Sequence, residues 1–242
     1  MKMKTSLSLL IFIGLIILFS GAINDPARTD DKISAYDLYV FDLYRNIQGD
    51  KLPYRAFEYA FKGYRILDKE KMLNNDTLLT IIDYSKPSNE ERLYIIDLKN
   101  CRVYAKSLVA NGRSTGELSP ESFSNNPQSH QSCLGFFITS EAYYGKHGYS
   151  LKLRGIEKGI NDNAEKRAIV FHAADYVSHN YLNEYGRLGR SFGCPALPYE
   201  DNQKIIDLIK NRSCVFIYYP ASNYLNKSTL LVSGNFSQTA SE

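Results

Sequence analysis

Between residue 77 and residue 220 the chain is a succession of short β-prone runs. LLTIIDYS, RLYIIDL, RVYAKSLVAN, LGFFIT, YSLKL, AIVFH and CVFIYYP are separated by turn-forming pieces such as SKPSNEE, KNC, NGRSTGELSPES and KGINDNA. Runs of this length and spacing predict a mainly β fold with peripheral helices, its sheet largely antiparallel and arranged as a β-sandwich or an open barrel. Helical spacing is confined to the flanks. In PYRAFEYAFKGYRIL (53–67), Tyr54, Phe57, Phe61, Tyr64 and Leu67 share one face behind Pro53, which suits a helix start. Tyr36–Tyr44 is a weaker helix candidate, so a short helical N-terminal segment precedes the β-rich part. A further helix is expected at 199–211, where Ile205, Ile206, Leu208 and Ile209 form an apolar face. The polar stretch Gly112–Ser132 has no periodicity; loops of that length are functional or disordered.

The first residues bear on the compartment. MKMK is followed by the apolar run LSLLIFIGLIILF and by small residues at Ser20 and Ala22, the layout of a secretory signal peptide cleaved after Ala22. An uncleaved anchor competes, because Leu7–Phe19 is long for a signal. No cysteine follows the run, which argues against a lipoprotein. Loss of 1–22 removes Lys2 and Lys4 and takes the formal charge from +3 to +1. A nearly neutral chain has no electrostatic footprint for nucleic acid. No second apolar span is long enough to cross a bilayer, so no stable membrane insertion is expected after cleavage. The expected organisation is a signal over 1–22, a linker and helical segment over 23–74, the β-rich domain over 75–220 and a C-terminal tail over 221–242. The expected location is the periplasm or cell envelope.

Four cysteines remain: Cys101, Cys133, Cys194 and Cys214. In an exported chain they admit three disulfide pairings, but four in a domain of this size is sparse, and the question stays open. Cys194 stands out, in GRLGRSFGCPALP (186–198). A core thiol, half of a disulfide, a metal ligand and a nucleophile are the alternatives. A nucleophilic thiol needs a base within hydrogen-bond reach, a partner that holds the base's tautomer, and amides aimed at the developing oxyanion. The S-F-G-C-P turn fits: Phe192, Gly193 and Cys194 offer N–H groups, and Pro195 offers none. Of His130, His147, His172 and His179, His172 is best placed as base, because it ends the run AIVF, and a strand end holds a side chain rigidly. His147 and Tyr149, in GKHGYS, are read either as turn residues or as a wall of a substrate site; His130 and His179 are read as surface residues. His172, Asp175 and His179 would share one face if a helix began at His172, a metal-site alternative that leaves SFGCP unexplained.

A histidine at a strand end, followed 22 positions later by Cys194 in SFGC, resembles the signature of the L,D-transpeptidase catalytic domain, a YkuD-like family. SCLGFFIT, GKHGYSLKL, INDNAEKRAIVFHAADYVS and GRLGRSFGCPAL, in this order, resemble its murein L,D-transpeptidase branch over about residues 75–220. The resemblance implies an exported cysteine enzyme that attacks the diaminopimelate–D-Ala bond of peptidoglycan stem peptides and needs no cofactor or metal. An acyl-enzyme would then pass to an amine, giving a 3→3 cross-link, or to water, as in an L,D-carboxypeptidase. It implies Cys194 as nucleophile, His172 as base, the Ala173 carbonyl as orienter of the imidazole, Gly193 in the oxyanion turn and Ser191 shaping that turn. The sequence departs from the family in Phe192, where many members have His or Lys, in Pro195 and Ala196 after the cysteine, and in Ala173, commonly Gly. A substrate carboxylate would then turn to Arg187 or Arg190, whose forks suit it. The departures also support a rival reading, a non-catalytic envelope protein that binds stem peptides.

Overall fold

The computed structural model describes residues 34–50 and 52–232; the segment read as a signal peptide and the last residues of the tail lie outside this range. The described chain enters helix α1 (Ala35–Asn46) through a capping box, in which Ser34 Oγ accepts the Asp37 amide and the Asp37 carboxylate accepts the Ser34 amide. Pro53 starts helix α2 (Tyr54–Lys69), where its missing N–H costs nothing. The weaker of the two N-terminal helix expectations is therefore met as fully as the stronger.

Eight strands follow: β1 (Asn75–Asp83), β2 (Leu93–Asp97), β3 (Arg102–Ser107), β4 (Gly135–Gly145), β5 (Gly148–Gly155), β6 (Val170–Ala173), β7 (Ala196–Leu197) and β8 (Ser213–Tyr218). They form one sheet in the order β3-β2-β1-β8-β4-β5-β6-β7. Most neighbours are antiparallel, but β1 pairs with β8 and β6 pairs with β7 in parallel. Past β3 the chain reaches Ala110, whose amide donates to the carbonyl of Ala196 in β7, so the two edges of the sheet approach each other. The result is a mixed, nearly closed barrel with peripheral helices, the open-barrel form of the expected fold. Every residue of β2 and of β8 is buried, which is why these segments read as continuous apolar runs rather than alternating ones.

Helix α2 lays Ala56, Phe57, Ala60, Phe61, Tyr64 and Leu67 against β1 and β8. Gly63 permits this docking: a Cβ there would lie 2.1 Å from the Phe136 ring. Helix α3 (His179–Tyr185) is capped by Ser178 Oγ and stopped by Gly186 at φ +70°. Helix α4 (Tyr199–Ile209) buries Ile205, Ile206 and Ile209. The segment read as a tail is structured through residue 232. It forms helices α5 (Ser222–Leu225) and α6 (Thr229–Val232), buries Tyr224 and Leu231, and returns beside α2. A buried carboxylate draws it in. Glu157 Oε2 accepts the Phe136 amide at 2.7 Å and the Tyr224 hydroxyl at 3.2 Å, and Oε1 accepts the Ser228 hydroxyl. Burial still pushes the Glu157 carboxyl upward against these donors.

Candidate active site

The turn that presents Cys194 is built from Ser191. Its main chain is clamped to the strand-like segment after β3: the Ser191 amide donates to the Asn111 carbonyl at 3.0 Å, and the Arg113 amide donates to the Ser191 carbonyl at 2.8 Å. Its side chain closes the turn. Ser191 Oγ accepts the Gly193 amide at 3.0 Å and donates to the Cys194 carbonyl at 2.6 Å. Gly193 takes φ +126°, and a Cβ there would stand 2.8 Å from the Gln131 carbonyl oxygen, so only glycine fits. Of the three amides available to an oxyanion, that of Gly193 is thus engaged by Ser191, which leaves those of Phe192 and Cys194. Pro195 then leads into β7.

β7 places this turn beside the histidine. Ala196 is level with His172 on the parallel neighbour β6. Cys194 lies two residues before this paired position, in the bend that leads into β7. His172 is buried, and its Nδ1 lies 2.8 Å from the Ala173 carbonyl oxygen. A carbonyl only accepts, so Nδ1 carries the proton and Nε2 keeps a free lone pair. Burial lowers the His172 pKa; the Ala173 carbonyl opposes that shift, and the nearby charges of His147 and Lys146 reinforce it. A neutral imidazole of this tautomer is a competent proton acceptor. Burial pushes the Cys194 thiol up, against pulls downward from the Val170 amide, Arg167 and Lys146. The sulfur lies 3.5 Å from the carbonyl oxygen of Ala168, a residue held at φ +54°. No hydrogen bond joins the thiol to the imidazole. Both shifts favour the neutral form of the group concerned.

Other expected residues are distributed around this centre. The ring of His147 stacks on that of His172, with centroids 4.6 Å apart. It stands at the tip of the β4–β5 hairpin, where Gly145 pairs with Gly148. Tyr149 is near in sequence, but its hydroxyl donates to Asp207 on α4 at 2.8 Å. Phe192 is 64% exposed and packs against His130 (centroids 4.7 Å apart) and under the Arg113 guanidinium (4.7 Å), so His130 is part of this wall. Arg187 donates to the Leu188 carbonyl, and Arg190 is engaged with the Arg113 carbonyl and with Glu117 at 3.3 Å. All four cysteines are free thiols. His172 lies in a strand and His179 begins a separate helix, so the helical face needed by the metal alternative does not form.

Sequence reasoning missed the groups that support the turn. Arg167 donates to the Ser124 carbonyl at 2.6 Å, to Ser129 Oγ at 3.3 Å and to the Gln131 carbonyl, pinning the long 112–132 loop beneath Gly193. Ser132 Oγ accepts the Gly112 amide at 3.0 Å and donates to the Gly193 carbonyl at 3.4 Å. The fully buried Arg92 bonds the Val109 carbonyl through Nε and Nη2 and bonds Asn111 Oδ1 at 2.7 Å, holding the strand that clamps Ser191. No local signal marks these residues, because their partners lie 17 to 61 positions away.

A family model described as the L,D-transpeptidase catalytic domain (YkuD type) matches residues 48–218. The chain belongs to this family of cysteine L,D-transpeptidases, whose members act on peptidoglycan. The match begins before α2 and so takes in that helix together with the barrel. Among solved structures, an L,D-transpeptidase from Mycobacterium smegmatis aligns at 10% identity and TM-score 0.37, over 59% of each chain. One from Stackebrandtia nassauensis aligns at 11% identity and TM-score 0.36, over 59% of this chain and 56% of that one. One from Xylanimonas cellulosilytica aligns at 13% identity and TM-score 0.37, over 76% of this chain and 91% of that one. The chain thus spans about three fifths of the length of the first of these structures. No curated protein matches the sequence. Among the described residues, no helix is long and apolar enough to cross a membrane.

Proposed function

We propose that this chain is an exported murein L,D-transpeptidase in which Cys194 attacks the carbonyl joining the third stem residue to the terminal D-Ala. The observation that carries the reading is that the strand leaving the glycine turn of Cys194 pairs with the strand of the buried His172, Ala196 being in register with it, while the Ala173 carbonyl fixes His172 Nδ1. In this reaction the thiol proton passes to His172 Nε2 as the sulfur–carbon bond forms. The tetrahedral oxyanion is received by the amides of Phe192 and Cys194. The tetrahedral adduct then collapses: the carbon–nitrogen bond breaks, His172 returns its proton to the nitrogen, and D-Ala leaves an S-acyl enzyme. An amine from a neighbouring stem resolves it to a 3→3 cross-link, or water resolves it to the free acid, the carboxypeptidase outcome.

The test is incubation of the mature protein with a tetrapeptide muropeptide, with products identified by mass spectrometry. Release of D-Ala that disappears in Cys194→Ala is expected, together with a carbapenem adduct on Cys194. Intact substrate and no adduct would favour the non-catalytic reading that the departures at Phe192 and Pro195 motivate. Thiol alkylation tests the accessibility of Cys194 on either reading. Cys133 and Cys214 are fully buried and their thiols pushed up, Cys133 to about 11. Cys194 should therefore react ahead of both near neutral pH.

A further inference from the structure

The proposed reaction requires the leaving amino acid to depart past His172, since that imidazole protonates its nitrogen. The tip of the β4–β5 hairpin adjoins that imidazole, the His147 ring lying on the His172 ring. The residue before His147 is Lys146, exposed at the same two-residue turn. The other cations around the site are committed. Arg167 holds the Ser124 and Gln131 carbonyls, Arg113 lies over Phe192 and on His130, Arg190 pairs with Glu117, and Arg187 bonds Leu188. Lys146 enters no ion pair or hydrogen bond among the described residues.

We propose that the hairpin tip Gly145–Gly148 is the leaving-group subsite, in which the Lys146 ammonium binds the free carboxylate of the terminal amino acid while His147 spaces it from His172. The inference rests on the transpeptidase reading and adds its specificity determinant. The geometry is that of a short reach. In a terminal amino acid the carboxylate is two bonds from the scissile nitrogen, so a group that receives it must belong to an element in contact with the proton donor, and the turn that carries Lys146 is that element through His147. Its charge favours the Cys194 thiolate and disfavours protonation of His172, the smaller influences beside burial at both groups. The assignment moves the carboxylate contact from the arginines expected upstream of the cysteine to a lysine on a different strand pair. It also divides the site: the acyl portion of the substrate faces the Phe192–His130–Arg113 wall, and the leaving portion faces the hairpin.

The experiment compares two stem tetrapeptides, one ending in free D-Ala and one in D-Ala amide, with wild type, Lys146→Met and Lys146→Arg. The expected result is a wild-type preference for the acid in kcat/KM of about tenfold or more, the worth of a charge-assisted contact, seen mainly in KM. Lys146→Met should abolish that preference and Lys146→Arg should keep most of it. A substitution that only loosened the hairpin would slow both peptides alike and leave the ratio intact. Turnover by wild type without acid preference, or an unchanged ratio in Lys146→Met, overturns the subsite and leaves the enzyme reading standing. Failure of wild type to cleave either peptide removes both.

Discussion

Ser191→Ala isolates the element on which the cysteine turn depends. Ser191 is 5% exposed, and its hydroxyl serves two main-chain groups, the Gly193 N–H at 3.0 Å and the Cys194 carbonyl at 2.6 Å. Alanine leaves both without a partner. A buried polar group left unsatisfied costs about 1–3 kcal/mol. Gly193 is buried and bears the full cost; Cys194 is half-buried, and its carbonyl regains part from water. The sum is about 2–4 kcal/mol, which with a urea slope of about 2–3 kcal/mol/M lowers the unfolding midpoint by roughly 1 M. The freed turn also misaligns the Cys194 amide, and loss of one well-placed oxyanion donor costs about 2.7–4 kcal/mol of barrier. The expected phenotype is therefore a kcat lower by about 10²-fold or more with a smaller change in KM. Urea unfolding followed by far-UV circular dichroism, and D-Ala release, are the two assays. A midpoint shift below about 0.3 M together with a kcat within about threefold of wild type would refute the argument that this hydroxyl holds the turn.

Other consequences follow from the same structure. Gly193→Ala forces a Cβ to 2.8 Å from the Gln131 carbonyl, which Arg167 prevents from moving, at a φ of +126°; D-Ala release should fall at least about 10²-fold. His172 must be neutral to accept a proton and its pKa is lowered by burial, so the acid limb of the pH–rate profile should lie below the ordinary histidine range. The alkaline side follows a Cys194 thiol that burial pushes up, so a resting-thiolate titration should appear above the ordinary cysteine range in pH-dependent alkylation. The same lowered His172 makes the unfolded chain the better proton binder: its contribution to stability is complete above the unfolded histidine pKa and is lost as pH falls through the folded one, which urea midpoints across pH 4 to 8 would measure, using about 6.5 for the unfolded group. Deletion of 221–242 strips Tyr224 and Leu231 from the core and two hydroxyl donors from Glu157. It should cost roughly 4 kcal/mol and lower Tm by about 10 °C, readable by calorimetry.

The legible parts of the fold are those with a strong local period. The aromatic stripe behind Pro53 became α2, the isoleucine face became α4, and each β-prone run supplied a strand. The parts missed have no such period. β7 is two residues long and exists because Ala196 and Leu197 find partners on β6 and at Ala110. Its parallel pairing, like that of β1 with the distant β8, cannot be read from segments one at a time. Helices α5 and α6 are four residues each, too short for a periodic signal, and owe their place to Glu157 and the core.

The candidate site divides in the same way. Ser191, Gly193 and Cys194 are close neighbours in sequence, as are His172 and Ala173, so a turn and a strand end set the chemistry of each group locally. The pairing of β7 with the strand of His172, the stacking of His147 on His172, and the supports from Arg167, Ser132 and Arg92 are products of the tertiary fold. The sequence by itself determined residue types, turn chemistry and strand-forming runs, because these depend on steric and hydrogen-bonding preferences a few residues in range. Only the tertiary structure decided which cations around the site were already paired and which amides of the cysteine turn were left open, because each depends on what the rest of the chain has already bonded.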